Sequence, residues 1–196
     1  MAEENNSAQI EKSFLGMAGL FFLELIKVAV LAGVTIFLVR YFLFKPFYVK
    51  GQSMEPTFYE KEYLIIDEIS YRFRVPERGE VVVFRAPIDR KEYYLKRLIG
   101  LPGDRVRISE GQVIIYNSDF PEGKVVNEIY LDETTSGAST VTLGPNEYYV
   151  LGDNRDASFD SRRFGPIPRR DIIGRAWFRG WPLHRVTTFA APEYDL

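Results

Sequence analysis

The chain has 196 residues, with 25 Lys and Arg against 27 Asp and Glu and a formal net charge of -2, enough for one compact domain plus a short extension. That balance excludes a strongly basic nucleic-acid surface, so no nucleic-acid partner is expected. Cysteine is absent and His184 is the single histidine, which excludes thiol chemistry and leaves a zinc site of His and Cys ligands almost nothing to use.

From residue 14 to 44 the chain is apolar apart from Glu24, Lys27, Arg40 and a few small polar residues. Its uninterrupted stretch, residues 28–39, is twelve residues long, short of the ~20 of a spanning helix. Glu24 and Lys27 can pair on one helical face, and Lys27 and Arg40 can snorkel toward the interfaces. A membrane-spanning helix over residues 20–42 is therefore predicted, with a buried helix of a soluble domain as the alternative. Glu3, Glu4 and Glu11, and the lack of a small-residue cleavage site after Val39, argue against a cleavable signal peptide. Orientation is not set by charge: Lys12 and Lys27 on one side do not outnumber Arg40, Lys45, Lys50 and Lys61 on the other.

After Pro46 the pattern changes to short alternating segments with turns. Residues 47–50, 63–67, 80–84, 93–99, 105–109, 112–117, 147–151 and 174–178 read as strands, with a hairpin turn at Glu110-Gly111. These imply a mainly β fold, an antiparallel β-barrel-like domain or folded sheet, preceded by one transmembrane helix. Residues 118–144, rich in Gly, Ser, Thr and acidic side chains, read as a small variable subdomain or an extended hairpin. The expected division is a tail and anchor over 1–45, a β-domain over 46–185, and a tail over 186–196 that frays from residue 191. The aromatics around the apolar segment and near Trp177 and Trp181 are either plain β core or an interfacial belt on lipid headgroups.

Two short segments carry chemistry. Ser53 lies in Gly51-Gln52-Ser53-Met54-Glu55-Pro56-Thr57-Phe58, where the plain reading is a helix cap or turn. Lys96-Arg97 alone is an ordinary solvated pair, but it sits inside the apolar, strand-like run Tyr93-Tyr94-Leu95-Lys96-Arg97-Leu98-Ile99. Desolvation in such a setting disfavours the ammonium form. A serine hydroxyl needs a base to become a useful nucleophile, usually histidine. With His184 near the C-terminus, lysine is the natural partner if Ser53 is catalytic. Asp153, Asp156 and Asp160 suggest a calcium loop, yet Arg155 breaks the pattern and its central glycine and terminal glutamate are missing. A charge-dense turn with Asp–Arg pairing fits better, and no metal or cofactor is expected.

Four blocks in order resemble the bacterial type I signal peptidases, membrane-anchored Ser/Lys endopeptidases that remove signal peptides from exported proteins. They are the anchor ending near Phe44, Ser53-Met54-Glu55-Pro56-Thr57, Lys96-Arg97-Leu98-Ile99-Gly100-Leu101-Pro102-Gly103-Asp104, and Gly152-Asp153-Asn154-Arg155-Asp156-Ala157-Ser158-Phe159-Asp160-Ser161-Arg162. Residues 63–67 and 78–84 also resemble the family's connecting strands, so the likeness covers most of residues 20–182. Self-cleaving SOS-repressor peptidases share the serine and lysine blocks in looser form, and the Gly-Asp-Asn-Arg block discriminates.

The resemblance implies Ser53 as nucleophile, Lys96 as general base, Ser158 as the hydroxyl that orients the amine, and Asp160 and Arg162 as a supporting pair. It also implies an oxyanion hole containing the Ser53 N–H and a substrate-binding surface with Gly51, Met54, Tyr94 and Leu95. Some members carry a serine where this chain has Gly51, donating a second bond to the oxyanion. The implied function is cleavage of exported preproteins after small residues in a small-x-small pattern. The implied place is the plasma membrane, single-pass and in contact with lipid, with the catalytic domain on the extracytoplasmic face. The alternatives are a repressor-type autoprotease, which would follow a DNA-binding helical domain rather than a hydrophobic helix, and an inactive membrane-tethered β binding module.

Overall fold

The computed structural model describes residues 2–42, 45–131, 133–192 and 194, and the chain divides into two compact units, Met1–Leu43 and Phe44–Leu196. The first is one helix, α1 (Ala2–Phe42). It starts well before residue 20 because nothing between Ala2 and Leu20 breaks a helix: the stretch has no proline. Within it, Gly19–Phe37 is long and apolar enough to cross a membrane, rising about 29 Å at 1.5 Å per residue. Leu20, Phe22, Leu25 and Leu31 are all more than half exposed, as suits a helix whose solvent is hydrocarbon.

The second unit is mainly antiparallel β, as the alternating pattern predicts. Its larger sheet contains β1 (Lys45–Tyr48), β2 (Tyr63–Asp67), β3 (Val81–Arg85), β4 (Tyr93–Gly100), β9 (Glu147–Leu151), β10 (Ile167–Pro168), β11 (Ile172–Trp181) and β12 (Thr187–Thr188). They run in the order β1-β2-β11-β3-β4-β9-β10, with β12 pairing β11. A smaller sheet contains β5 (Arg105–Ser109), β6 (Gln112–Tyr116), β7 (Lys124–Val125) and β8 (Ser139–Thr142), in the order β7-β6-β5-β8. Neither sheet closes into a barrel. β1 and β10 end the larger path, and β10 is two residues long with Pro168, which has no N–H to offer a further strand.

β3 and β4 form the centre. Val81 and Val83 pack with Val49, Met54, Phe58, Leu64 and Leu95, while Val82 and Phe84 pack with Tyr71, Leu98, Tyr148 and Val150. β3 is thus buried on both faces, which is why it reads as a continuous apolar run. β4 adds Ile99 to a third cluster with Val106, Ile115 and Leu151, so it touches every core cluster. Lys96 and Arg97 lie in the middle of that strand, opposite Val82 and Val81 of β3.

The described residues of the segment expected to fray from residue 191 are packed instead. Phe189 stacks on Phe58 with ring centroids 4.4 Å apart, and Ala191, Pro192 and Tyr194 are all partly buried. Residues 193, 195 and 196 of that expectation lie outside the described residues.

Candidate active site

The Ser53 turn hangs between two anchors. Met54 and Phe58 are buried in the core beside β2 and β3, and the turn closes through Glu55 N to Gln52 O and Phe58 N to Met54 O. Ser53 is left partly exposed. Its backbone N–H meets no acceptor among the described residues, so it is available to a developing oxyanion. Gly51 precedes it at φ 81, with open space where a side chain would start.

Lys96 reaches the serine from β4. Its Nζ is hydrogen-bonded to Ser53 Oγ at 2.7 Å and donates to the Leu95 carbonyl at 3.0 Å. The side chain is buried, and burial lowers its pKa to about 8 against the opposing pull of Asp160 and Asp153. A neutral amine has two N–H groups and one lone pair. The lone pair can therefore accept the Ser53 proton while Leu95 holds one N–H.

The Gly152–Arg162 block packs against this pair. Asn154 N donates to the Ser53 carbonyl at 3.1 Å, and Thr57 Oγ1 donates to Asp153 Oδ2 at 2.6 Å. Arg97 is buried and grips Asp153 with both ends of its guanidinium, at 2.8 and 2.5 Å. Such a bidentate pair satisfies charges that would be costly to bury alone. Asp160 is fully buried, pairs with Arg162 at 2.9 Å and accepts from Gly152 N at 3.1 Å. Arg155, also buried, binds Glu128 and the Gly152 carbonyl. A Cβ on Gly152 would run into Ser158 Oγ and the Ser53 carbonyl oxygen, so only glycine fits that crossing.

Ser53 and Lys96 open onto a cleft of about 730 Å³ lined by residues 47–54, 91–96, Ala157 and Phe159. Two strand edges face it unpaired. β1 lies at the end of its sheet, and β4 outruns β9: pairing with β9 begins at Arg97, so among the described strands residues 93–96 pair only with β3. An extended chain laid in the cleft would find sheet partners there.

The structure brings Ser53, Lys96, Gly51, Met54, Tyr94 and Leu95 to one cleft, and Asp160 to Arg162. It does not join Ser158 to Lys96. The Ser158 hydroxyl is buried without a hydrogen-bond partner among the described residues, facing the Asp160 side of the block. Sequence reasoning missed the work of Arg97, Thr57, Asp153 and Asn154. The available signal was Arg97 itself, since a charge in the middle of a buried strand requires a buried partner.

A serine and a buried amine meeting in one cleft have the form of a serine peptidase. A family model described as "Signal peptidase, peptidase S26" matches residues 22–181, and the chain belongs to that family. "Probable signal peptidase I-2" of Synechocystis sp. is 42% identical over 84% of this chain and 75% of its own length. "Signal peptidase I P" of Bacillus subtilis subsp. natto is 36% identical over 84% of this chain and 91% of its own. "Signal peptidase IB" of Staphylococcus aureus is 34% identical over 86% and 94%.

Proposed function

We propose that the protein removes signal peptides from exported preproteins, with Ser53 as nucleophile and Lys96 as general base. The observation that carries this reading is the 2.7 Å contact between Ser53 Oγ and a buried lysine amine whose pKa lies near 8. The hydroxyl proton passes to Lys96 Nζ as Oγ attacks the scissile carbonyl carbon, and the resulting oxyanion takes the Ser53 N–H. The ammonium then protonates the departing amine, leaving an acyl-enzyme and the neutral base. Water, deprotonated by Lys96, attacks the ester carbon, and Ser53 regains its proton as the acid product leaves. Asp160 and Arg162 support the Gly152 backbone beside Ser53, and Ser158 packs against Gly152.

Substrate lies extended between β1 and residues 93–96, so alternate side chains enter the walls of the cleft. Small residues before the cut fit because Met54, Leu95 and Tyr94 crowd those walls. The apolar helix supports a single-pass anchor, and membership of the signal peptidase family supports a catalytic domain on the extracytoplasmic face. Tyr48, Tyr63 and Trp181, paired across three adjacent strands and between 37% and 52% exposed, support contact with lipid headgroups. The test is incubation of detergent-solubilised protein with a preprotein, followed by N-terminal sequencing of the product. Cleavage after small-x-small is expected, and an intact preprotein, or one cut as readily after leucine or phenylalanine, overturns the reading.

A further inference from the structure

Lys96 and Arg97 are neighbours on a strand, so they face opposite sides of β4. Arg97 turns away from the cleft into a shell of its own. Besides Asp153, it donates to the Gly79 carbonyl at 2.9 Å, and its guanidinium lies 3.9 Å from the centre of the Tyr130 ring. The described residues at the C-terminal end touch both of these partners. Tyr194 Oη hydrogen-bonds Tyr130 Oη at 3.0 Å. A Cβ on Gly79 would fall 2.7 Å from Tyr194 and 2.8 Å from Pro192, so the strap presses directly on the turn that receives Arg97. Phe189 fixes the other end through its stack on Phe58 and its bond to the Trp177 carbonyl at 2.9 Å.

We infer that the C-terminal strap, residues 189–192 and 194, is a positioning element for the reaction, seating Tyr130 and Gly79 against Arg97 so that Arg97 holds Asp153 and the Ser53 turn in register with Lys96. The inference rests on the roles proposed for Ser53 and Lys96. The line of contacts is continuous: Tyr194 to Tyr130, Tyr130 to Arg97, Arg97 to Asp153, Asp153 to Thr57, and Asn154 to the Ser53 carbonyl. A guanidinium in that position is always charged, and sealing it from water strengthens its hold on the carboxylate.

The strap also acts on the charge seen by the base. Asp153 and Asp160 are the carboxylates that favour the Lys96 ammonium, and they are held by Arg97 and Arg162 respectively. Tyr94 lies on the same side as the amine, with its ring 5.6 Å from Nζ. Around Arg97 the other titratable groups are Tyr130, Tyr194 and, next to them, Glu128. Burial pushes the Tyr194 hydroxyl up to about 12 and the Tyr130 hydroxyl higher still, so neither changes charge over the range in which the lysine titrates. If the strap is lost, water reaches Arg97, Asp153 is less fully neutralised, and Lys96 keeps its proton to higher pH.

The test compares full-length protein with Tyr194→Ala, Tyr194→Phe and a chain ending at Ala190. Preprotein cleavage is followed against pH, the Lys96 side chain is titrated by NMR in selectively labelled resting protein, and thermal unfolding is recorded. The shortened chain and Tyr194→Ala should lose about tenfold or more in kcat at neutral pH with KM within about twofold. Their kcat profile and Lys96 titration should both move to higher pH. Tyr194→Phe, which keeps the packing and loses the hydroxyl, should fall between them and the parent. A strap that only adds stability would lower the unfolding temperature and leave kcat and the Lys96 titration at parental values, and that result overturns the inference. Should the two larger changes fail to fold, parental kcat and titration in Tyr194→Phe overturn it equally. Failure of the parent to cleave preprotein would count against the proposed function alone, because the lysine titration reads the strap without turnover.

Discussion

A lysine can accept a proton only after giving one up, and an ordinary lysine, with a pKa of about 10.4, has done so in roughly one molecule in 2,500 at pH 7. The burial of Lys96 brings its pKa to about 8, which raises the neutral fraction at pH 7 to roughly a tenth. The rate of acylation should therefore climb about tenfold per pH unit below 8 and level off above it, in a profile of kcat/KM against pH. A profile flat from pH 6 to 9 would contradict the amine base. Stability carries the opposite sign. Because the folded pKa is lowered, the cost of burying the ammonium is fully present below pH 8 and fades as pH rises toward 10.5; it amounts to roughly 3 kcal/mol at most. Lys96→Met should thus be inactive yet at least as stable as the parent at pH 7. Lys96→Arg, which cannot discharge its guanidinium, should be inactive and less stable. Thermal unfolding and preprotein cleavage measured together check both.

At the scale of elements, the Gly152–Arg162 block holds its shape by pairing buried charges. Asp160 accepts from Gly152 N, Arg162 N and the Arg162 side chain; burial opposes its ionisation, but Arg162 and the Gly152 N–H hold its carboxyl below the usual aspartate range. Removing it strands a partly buried guanidinium and an amide next to the nucleophile. Asp160→Ala should cost about 3–5 kcal/mol, read as a lower midpoint in denaturant, with a fall in rate. The stabilising part of this pairing is present above the ordinary aspartate pKa and is lost as pH falls through the lowered one, so the parent's excess stability over Asp160→Ala should shrink in acid. Equal midpoints at neutral pH would remove Asp160 from the structural account.

The same block shows what could be read without coordinates. β2 and β5 fall where alternation puts them, at 63–67 and 105–109, because each buries one face and shows it in period two; β9, at 147–151, is buried on both faces and shows as a short apolar run. β7, β8, β10 and β12 escaped notice. They are short or polar, like Ser139–Thr142, and exist because a neighbouring strand offers an edge, which is not written locally. Lys96 was legible as a charge inside an apolar, strand-like run, whereas Ser53, an ordinary turn residue by its surroundings, was singled out by the family resemblance. The Arg97–Asp153 pair was not: 56 positions separate its members, and surface charges have the same letters as buried ones.

At the scale of the molecule, the two compact units imply separable tasks. With residues 1–43 removed, the remaining unit should keep its cooperative unfolding, since all three core clusters lie within it. It should still cut a soluble peptide carrying a small-x-small site while losing stable attachment to vesicles. Loss of cooperative unfolding in the shortened protein would show that the anchor belongs to the folding unit.

The unpaired edge of residues 93–96 has a consequence for which preproteins are processed at all. A slot bounded by backbone N–H and C=O groups accepts a chain only where that chain's own amides are unsatisfied. A helix, or a strand already joined to its own sheet, arrives with its hydrogen bonds spent. On the proposed mode of binding, the enzyme is a conformational filter before it is a sequence reader: an ideal cleavage site held within secondary structure should pass untouched, and the moment of cutting should be set by when the segment is threaded out bare.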